Sequence, residues 1–149
     1  MNGSGLSGAQ GWGLTVLRVV VGVVFLVHGV DKVFNLKFGG VAGFFAQHGI
    51  PAPAVAAVVV SLVEFLGGIA LILGLFSRWV AIPIAIDMLV AILVVHLPNG
   101  FFVSSRGYEF TLLLLAASVA LILEGGGELA VDNVIGRGRP AHGAHARTA

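Results

Sequence analysis

Long apolar stretches alternate along this chain with short polar interruptions. Four stretches stand out, over residues 14–34, 53–75, 79–97 and 108–123. A helix needs about 20 residues to cross the hydrocarbon of a bilayer, within a range of about 17–25. The first three stretches meet that range and the fourth falls slightly short. Each is apolar on nearly every side, unlike a soluble amphipathic helix with its polar face. The pattern predicts an all-α polytopic membrane protein, a bundle of four transmembrane helices.

The interruptions carry the chemistry of turns. Residues 35–51 hold four glycines and Pro51, which predicts a long first connection. Its Phe44–Phe45 pair would lay it on the interface or fold it back over the bundle. Phe76–Ser77–Arg78 predicts a tight turn, Pro98–Asn99–Gly100 stops the third helix, and Glu124 to Gly127 stops the fourth. Gly39–Gly40 and Gly125–Gly127 read as loop breakers rather than phosphate-binding loops. The expected organisation is a disordered lead over 1–13, a membrane domain over 14–132 and a disordered tail over 133–149. The lead has no basic residue, so it does not match a secretory signal.

Composition sharpens this picture. Hydrophobic residues make up 58% and charged residues 10% of the chain, against about 25% charged in a soluble domain. A net charge of +1 offers no basic field for nucleic acid. Cysteine is absent, which excludes disulfides, thiolate catalysis and Cys-ligated metal or iron–sulfur sites. Four spans put both termini on one side. Arg18, Arg78, Arg137 and Arg139 collect there, against Lys32, Lys37 and Arg106 opposite, so the positive-inside rule predicts cytoplasmic termini.

The informative residues are those that lipid should exclude. A charge at the bilayer centre costs about 2.5–3.5 kcal/mol on insertion scales, and such residues usually face the bundle interior beside a partner. Here they are Arg18 and His28 in the first span, Glu64 in the second and Asp87 in the third, with Lys32, His96 and Glu109 near span ends. At a rise of about 1.5 Å per residue, Arg18 lies about 6 Å and Asp87 about 12 Å from the same boundary. This predicts a structural ion pair between Arg18 and Asp87. His28 is level with Glu64 to within one turn, and Lys32, His96 and Glu109 gather at the outer boundary. Together these five form the candidate site for protons or a quinone: His28, Lys32, Glu64, His96 and Glu109. The arc Arg18, Gly22, Phe25, His28, Gly29 and Lys32 gives the first span one inward face. No His or carboxylate pair sits at metal-ligand spacing on one helix. His28 and His96 differ too much in depth to ligate a haem.

Several short motifs occur in an order that resembles the DoxX family of small bacterial membrane proteins. The first span reads R-V-V-V-G-V-V-F-L-V-H-G-V-D-K-V-F from Arg18, and the loop ends in G-I-P at Gly49–Pro51. The second span reads V-E-F-L-G-G-I-A-L-I-L-G-L-F-S-R from Val63. Asp87, Ala91, His96 and G-Y-E at Gly107–Glu109 follow. The resemblance covers residues 14–132. It implies a four-helix fold in the bacterial inner membrane and a redox association, since similar proteins serve as membrane subunits of thiosulfate:quinone oxidoreductase. It implies no covalently bound cofactor and no agreed catalytic residues, and it admits quinone as ligand. The expected partners are the lipid bilayer and other membrane or redox subunits, or further copies of the chain. Three functions compete: a quinone-interacting membrane subunit of a redox complex, a non-catalytic scaffold subunit of a larger membrane complex, and a small transporter or channel.

Overall fold

Residues 8–137 are described by a computed structural model, and every regular element among them is helical. Helix α1 (Gly8–Val30) continues into a π-helical turn at Asp31–Asn35. Helix α2 spans Lys37–Gln47 and α3 spans Pro53–Leu73. Helix α4 (Ser77–Val90) continues into a second π-helical turn at Ala91–His96. Helices α5 (Glu109–Glu124) and α6 (Val131–Arg137) complete the chain. Pro53 opens α3, where its missing N–H costs nothing. Gly74 closes the same helix at φ 72°, the left-handed conformation that glycine adopts freely.

Helix α1 packs on α3, α3 on α4 and α4 on α5, and α5 returns to α1 to close the ring. Val21, Phe25, Leu71, Ile84, Met88, Leu114 and Leu121 fill its interior. The stretches Gly8–Asn35, Pro53–Leu73 and Ser77–Asn99 are each long and apolar enough to cross a membrane. Helix α5, at 16 residues, is just short of the range of about 17–25. The protein is thus an all-α, multi-pass membrane protein with three full-length spans and a fourth apolar helix. Trp12 and Phe34, both exposed, lie 22 residues apart on the first span, about 33 Å of helix. That separation suits aromatic anchors at the two interfaces of a hydrocarbon layer about 30 Å thick.

Two expectations from sequence need correction here. The first connection is not a plain loop: α2 lays Val41 and Phe45, four residues apart, against Ala57 of α3. Gly39 and Gly40 therefore lie inside a helix rather than breaking one, because tertiary packing outweighs the roughly 1 kcal/mol that each glycine costs a helix. Of the Phe44–Phe45 pair, Phe45 packs toward α3 while Phe44 stays exposed. Helix α1 starts at Gly8, so residues 8–13 of the expected lead are helical, as are residues 131–137 where the tail was placed to begin at 133. The rest of the lead and tail, 1–7 and 138–149, lies outside the described residues.

A polar clamp ties the α6 end of the bundle. The Arg18 guanidinium donates to the carbonyls of Leu71 (2.6 Å), Ile72 (3.0 Å) and Leu129 (2.8 Å). The first two belong to the last turn of α3, where the Leu71 carbonyl also accepts the Gly74 N–H and a cation complements the helix dipole. The Asp132 carboxylate makes the converse cap on α4, accepting from the N–H groups of Phe76 (2.6 Å) and Ser77 (2.9 Å). One basic and one acidic side chain thereby hold the two ends of the α3–α4 turn.

Candidate functional site

The inner stripe of α1 is Thr15, Arg18, Gly22, Phe25, Gly29 and Lys32, alternating steps of three and four residues. Such spacing keeps one face toward a neighbour. Gly22 and Gly29 on that stripe meet Gly68 and Phe65 of α3 so closely that the backbones touch. The contact sets the relative height of the two helices and brings Lys32 beside Glu64.

Side chains on a helix lean toward its N-terminus. Lys32 on α1 therefore leans toward the middle of the membrane. Glu64, on the antiparallel α3, leans to meet it. Their Nζ and Oε2 atoms are 2.5 Å apart, with the Glu64 side chain only 4% exposed. Glu64 is the twelfth of 21 residues in α3, which puts the pair near mid-span. From α4, Asp87 brings its carboxyl group within hydrogen-bonding reach of Glu64 and into the field of Lys32. The Oδ2 atom of Asp87 is buried and has no hydrogen-bond partner.

One ammonium and two carboxyl groups thus meet in the interior of an apolar bundle. Carboxylates that share a site repel each other, and an adjacent cation offsets the repulsion. The set can donate hydrogen bonds through Lys32, accept them through the carboxyls, and pass a proton between the two acids. Helical irregularity collects around it. Lys32 belongs to the π-helical turn after α1, and the Asp87 carbonyl accepts the N–H of Ala91, where the second π-helical turn begins. Such turns are rare and often mark functional positions.

The other sequence-derived candidates go elsewhere. Arg18 does not pair with Asp87. It leans toward the N-terminus of α1 and bonds at the level of Leu71, seven residues along α3 from Glu64, about 10 Å of helix. His28 does not pair with Glu64: it is exposed on the outside of α1, and its Nδ1 donates to its own Val24 carbonyl at 2.9 Å. His96 and Glu109 shape the α4–α5 connection instead. His96 Nδ1 donates to the Arg106 carbonyl (2.8 Å), and Glu109 Oε2 accepts from the Val103 N–H (2.9 Å). Of the five predicted site residues, Lys32 and Glu64 come together, and Asp87 joins them from the predicted ion pair. Asp132, missed as a functional position, caps a helix 55 residues away, and no local pattern announces it. No three of the described His, Asp and Glu side chains are grouped to hold a metal ion.

Comparison with known proteins matches residues 13–97 to the DoxX family, a stretch that contains Lys32, Glu64 and Asp87. A Bacillus subtilis (strain 168) protein named "Putative oxidoreductase CatD" is 34% identical over 127 residues, covering 85% of this chain and 90% of that one. An "Uncharacterized membrane protein" of Mycobacterium tuberculosis is 30% identical over 138 residues, 86% of this chain and 84% of that protein. The "Inner membrane protein YphA" of Escherichia coli (strain K12) is 30% identical over 69 residues, 46% and 48% of the two chains. No solved structure matches.

Proposed function

This chain belongs to the DoxX family, and on that footing we propose that it is an integral membrane subunit of a redox-linked complex whose Lys32–Glu64–Asp87 cluster receives a quinone headgroup. The observation that carries the reading is the cluster itself. An ionisable residue inside a membrane bundle is costly and marks a ligand or proton site by default; here three meet at one depth. The name of the Bacillus subtilis relative supports the redox assignment.

Reducing a quinone to its quinol consumes two electrons and two protons. This chain has no cysteine, and the electrons come from a partner redox protein. The share of this chain is recognition and protons. Lys32 donates a hydrogen bond to a quinone carbonyl, while Glu64 and Asp87 hold and pass protons beside it. The unpartnered Oδ2 of Asp87 is spare polar capacity of the kind a ligand would use.

The bacterial inner membrane is the proposed location, by analogy with the Escherichia coli relative. Both termini are assigned to the cytoplasm. With Arg18 and Lys32 turned inward, Arg78, Arg137 and Arg139 remain on the α6 side by sequence position, against Lys37 and Arg106 opposite.

Binding tests the reading. The purified chain in lipid nanodiscs should bind a short-tailed quinone, and Glu64→Gln or Asp87→Asn should each weaken binding by about tenfold, the equivalent of one lost hydrogen bond. Unchanged quinone affinity in both variants would favour a scaffold subunit instead.

A further inference from the structure

The connection from α4 to α5 carries a bare apolar tip. Phe101, Phe102 and Val103 follow one another, and all three are exposed. Their level on the bundle can be placed. Trp79 and Phe101 repeat the separation of Trp12 and Phe34, 22 residues in each case, and all four rings are exposed. The two spans run the same way, with α3 returning between them. The helical stretch from Trp79 to its end at Asn99 is about 30 Å long, which matches the hydrocarbon layer. The tip therefore lies at the interface marked by Phe34. Helix α5 begins at the same level: the Tyr108 N–H donates to the Gly100 carbonyl (3.1 Å) and the Glu109 N–H to the Phe101 carbonyl (2.8 Å).

The backbone of the tip satisfies its own acceptors. The Phe102 carbonyl accepts from the N–H groups of Ser105 (3.1 Å) and Gly107 (2.9 Å), and the Val103 carbonyl from that of Arg106 (2.9 Å). The Ser105 hydroxyl donates to the Asn99 carbonyl at 3.0 Å. All five consecutive carbonyls from Asn99 to Val103 are thus bonded inside the connection or to the start of α5. The Val103 N–H goes to Glu109 Oε2 (2.9 Å). Gly107 permits this closure, since a Cβ there would lie 2.6 Å from the Phe101 carbonyl carbon. A loop in water can leave its carbonyls to solvent, whereas one that enters a bilayer must pair them internally. We propose that this connection is a lipid-binding wedge, with Phe101, Phe102 and Val103 seated in the bilayer interface at the end of the bundle where Phe34 lies.

The occupant is the boundary between phospholipid headgroups and acyl chains. That boundary takes an apolar tip on one side and a cation on the other. Arg106 is the sole charged residue between positions 97 and 108, and it is exposed. It supplies the cation, two residues from Tyr108, on whose ring Phe101 packs edge-on with centroids 5.4 Å apart. A protein partner suits the tip less well. A phenylalanine offers roughly 150–250 Å² when fully covered, so the tip alone falls short of the roughly 800 Å² that each side brings to a stable interface. The wedge needs no redox role: it binds lipid whether or not Glu64 and Asp87 serve a quinone.

Fluorescence quenching tests the wedge on the whole chain. Trp12→Phe with Trp79→Phe removes both native indoles, and each change keeps a ring at an exposed position. Phe102→Trp then places a single fluorophore on the tip, and Phe34→Trp, in a second chain, places one at the reference level. Both are reconstituted in nanodiscs of phosphatidylcholine brominated near the headgroup end of its acyl chains. The Phe102→Trp chain should lose most of its emission to the brominated lipid, to the same extent as the Phe34→Trp chain, and little to aqueous iodide. Quenching by iodide and not by the lipid would put the tip in water and overturn the proposal. Quenching by neither would mean that protein, a second copy or another segment of the chain, covers the tip, and that also overturns it.

Discussion

Lys32→Met lowers the stability of the folded chain by about 3–5 kcal/mol, the usual cost of removing one partner from a buried ion pair. Two carboxyl groups then face each other in the bundle interior with no cation beside them. Glu64→Gln is milder, because Lys32 keeps Asp87 as a neighbour and the amide still accepts its hydrogen bond. The triple substitution Lys32→Met, Glu64→Leu and Asp87→Leu recovers most of the loss, since apolar residues of similar size often replace a buried ionic cluster at little cost. Thermal unfolding in detergent, followed by the fraction remaining monodisperse, ranks the three variants. Equal stability of Lys32→Met and Glu64→Gln would mean that Asp87 does not share the site.

Gly29→Ala separates α1 from α3. A Cβ atom at Gly29 would lie 2.5 Å from the Cα of Phe65, and one at Gly68 would lie 2.7 Å from the Cα of Leu26. The obstacle in both places is backbone, which cannot swing aside as a side chain does. Helix contacts in lipid depend on close approach of small residues, since no solvent-driven term compensates for a gap. Each substitution is expected to cost about 3 kcal/mol, at the upper end of overpacking, and to lower the apparent melting temperature by roughly 6–12 °C. Gly13→Ala and Gly43→Ala, where a Cβ meets nothing within 4 Å, serve as controls and should show no such loss. Gly29→Ala also moves Lys32 relative to Glu64, so it should weaken quinone binding as well as stability.

The spans are legible in the sequence because lipid demands an apolar surface on every face, and that demand overrides local propensity. Helix α2 is not legible. Three glycines mask its helical character, and only packing of Val41 and Phe45 on α3 reveals it. The residues of the site are legible: Glu64 and Asp87 sit where no carboxyl should be, and Lys32 lies on the inward stripe of α1. The pairing is harder to read. Depth alone makes His28 the neighbour of Glu64 and Arg18 the neighbour of Asp87. The lean of side chains toward the N-terminus reverses both, carrying Lys32 inward and Arg18 outward to the end of α3. His28 is one residue away from Gly29 on the inner stripe, and that single step turns it out of the bundle. Asp132 is illegible for another reason, since its partners, the N–H groups of Phe76 and Ser77, are reached only through the tertiary fold.

In the proposed role Lys32, Glu64 and Asp87 serve a quinone, whereas Arg18 bonds three backbone carbonyls at the end of the bundle and holds the fold. The most direct measurement replaces the native chain by Glu64→Gln or Arg18→Lys in membranes that retain its partner proteins, and follows quinol formation per folded chain. Glu64→Gln should keep normal levels of folded protein and lose quinol formation by about a hundredfold, within the range for removing a positioned acid or base. Arg18→Lys, which keeps the charge but has fewer donors for three carbonyls, should reduce the amount of folded chain and leave the rate per folded chain unchanged. A Glu64→Gln chain that folds normally and supports the full rate would contradict the central claim.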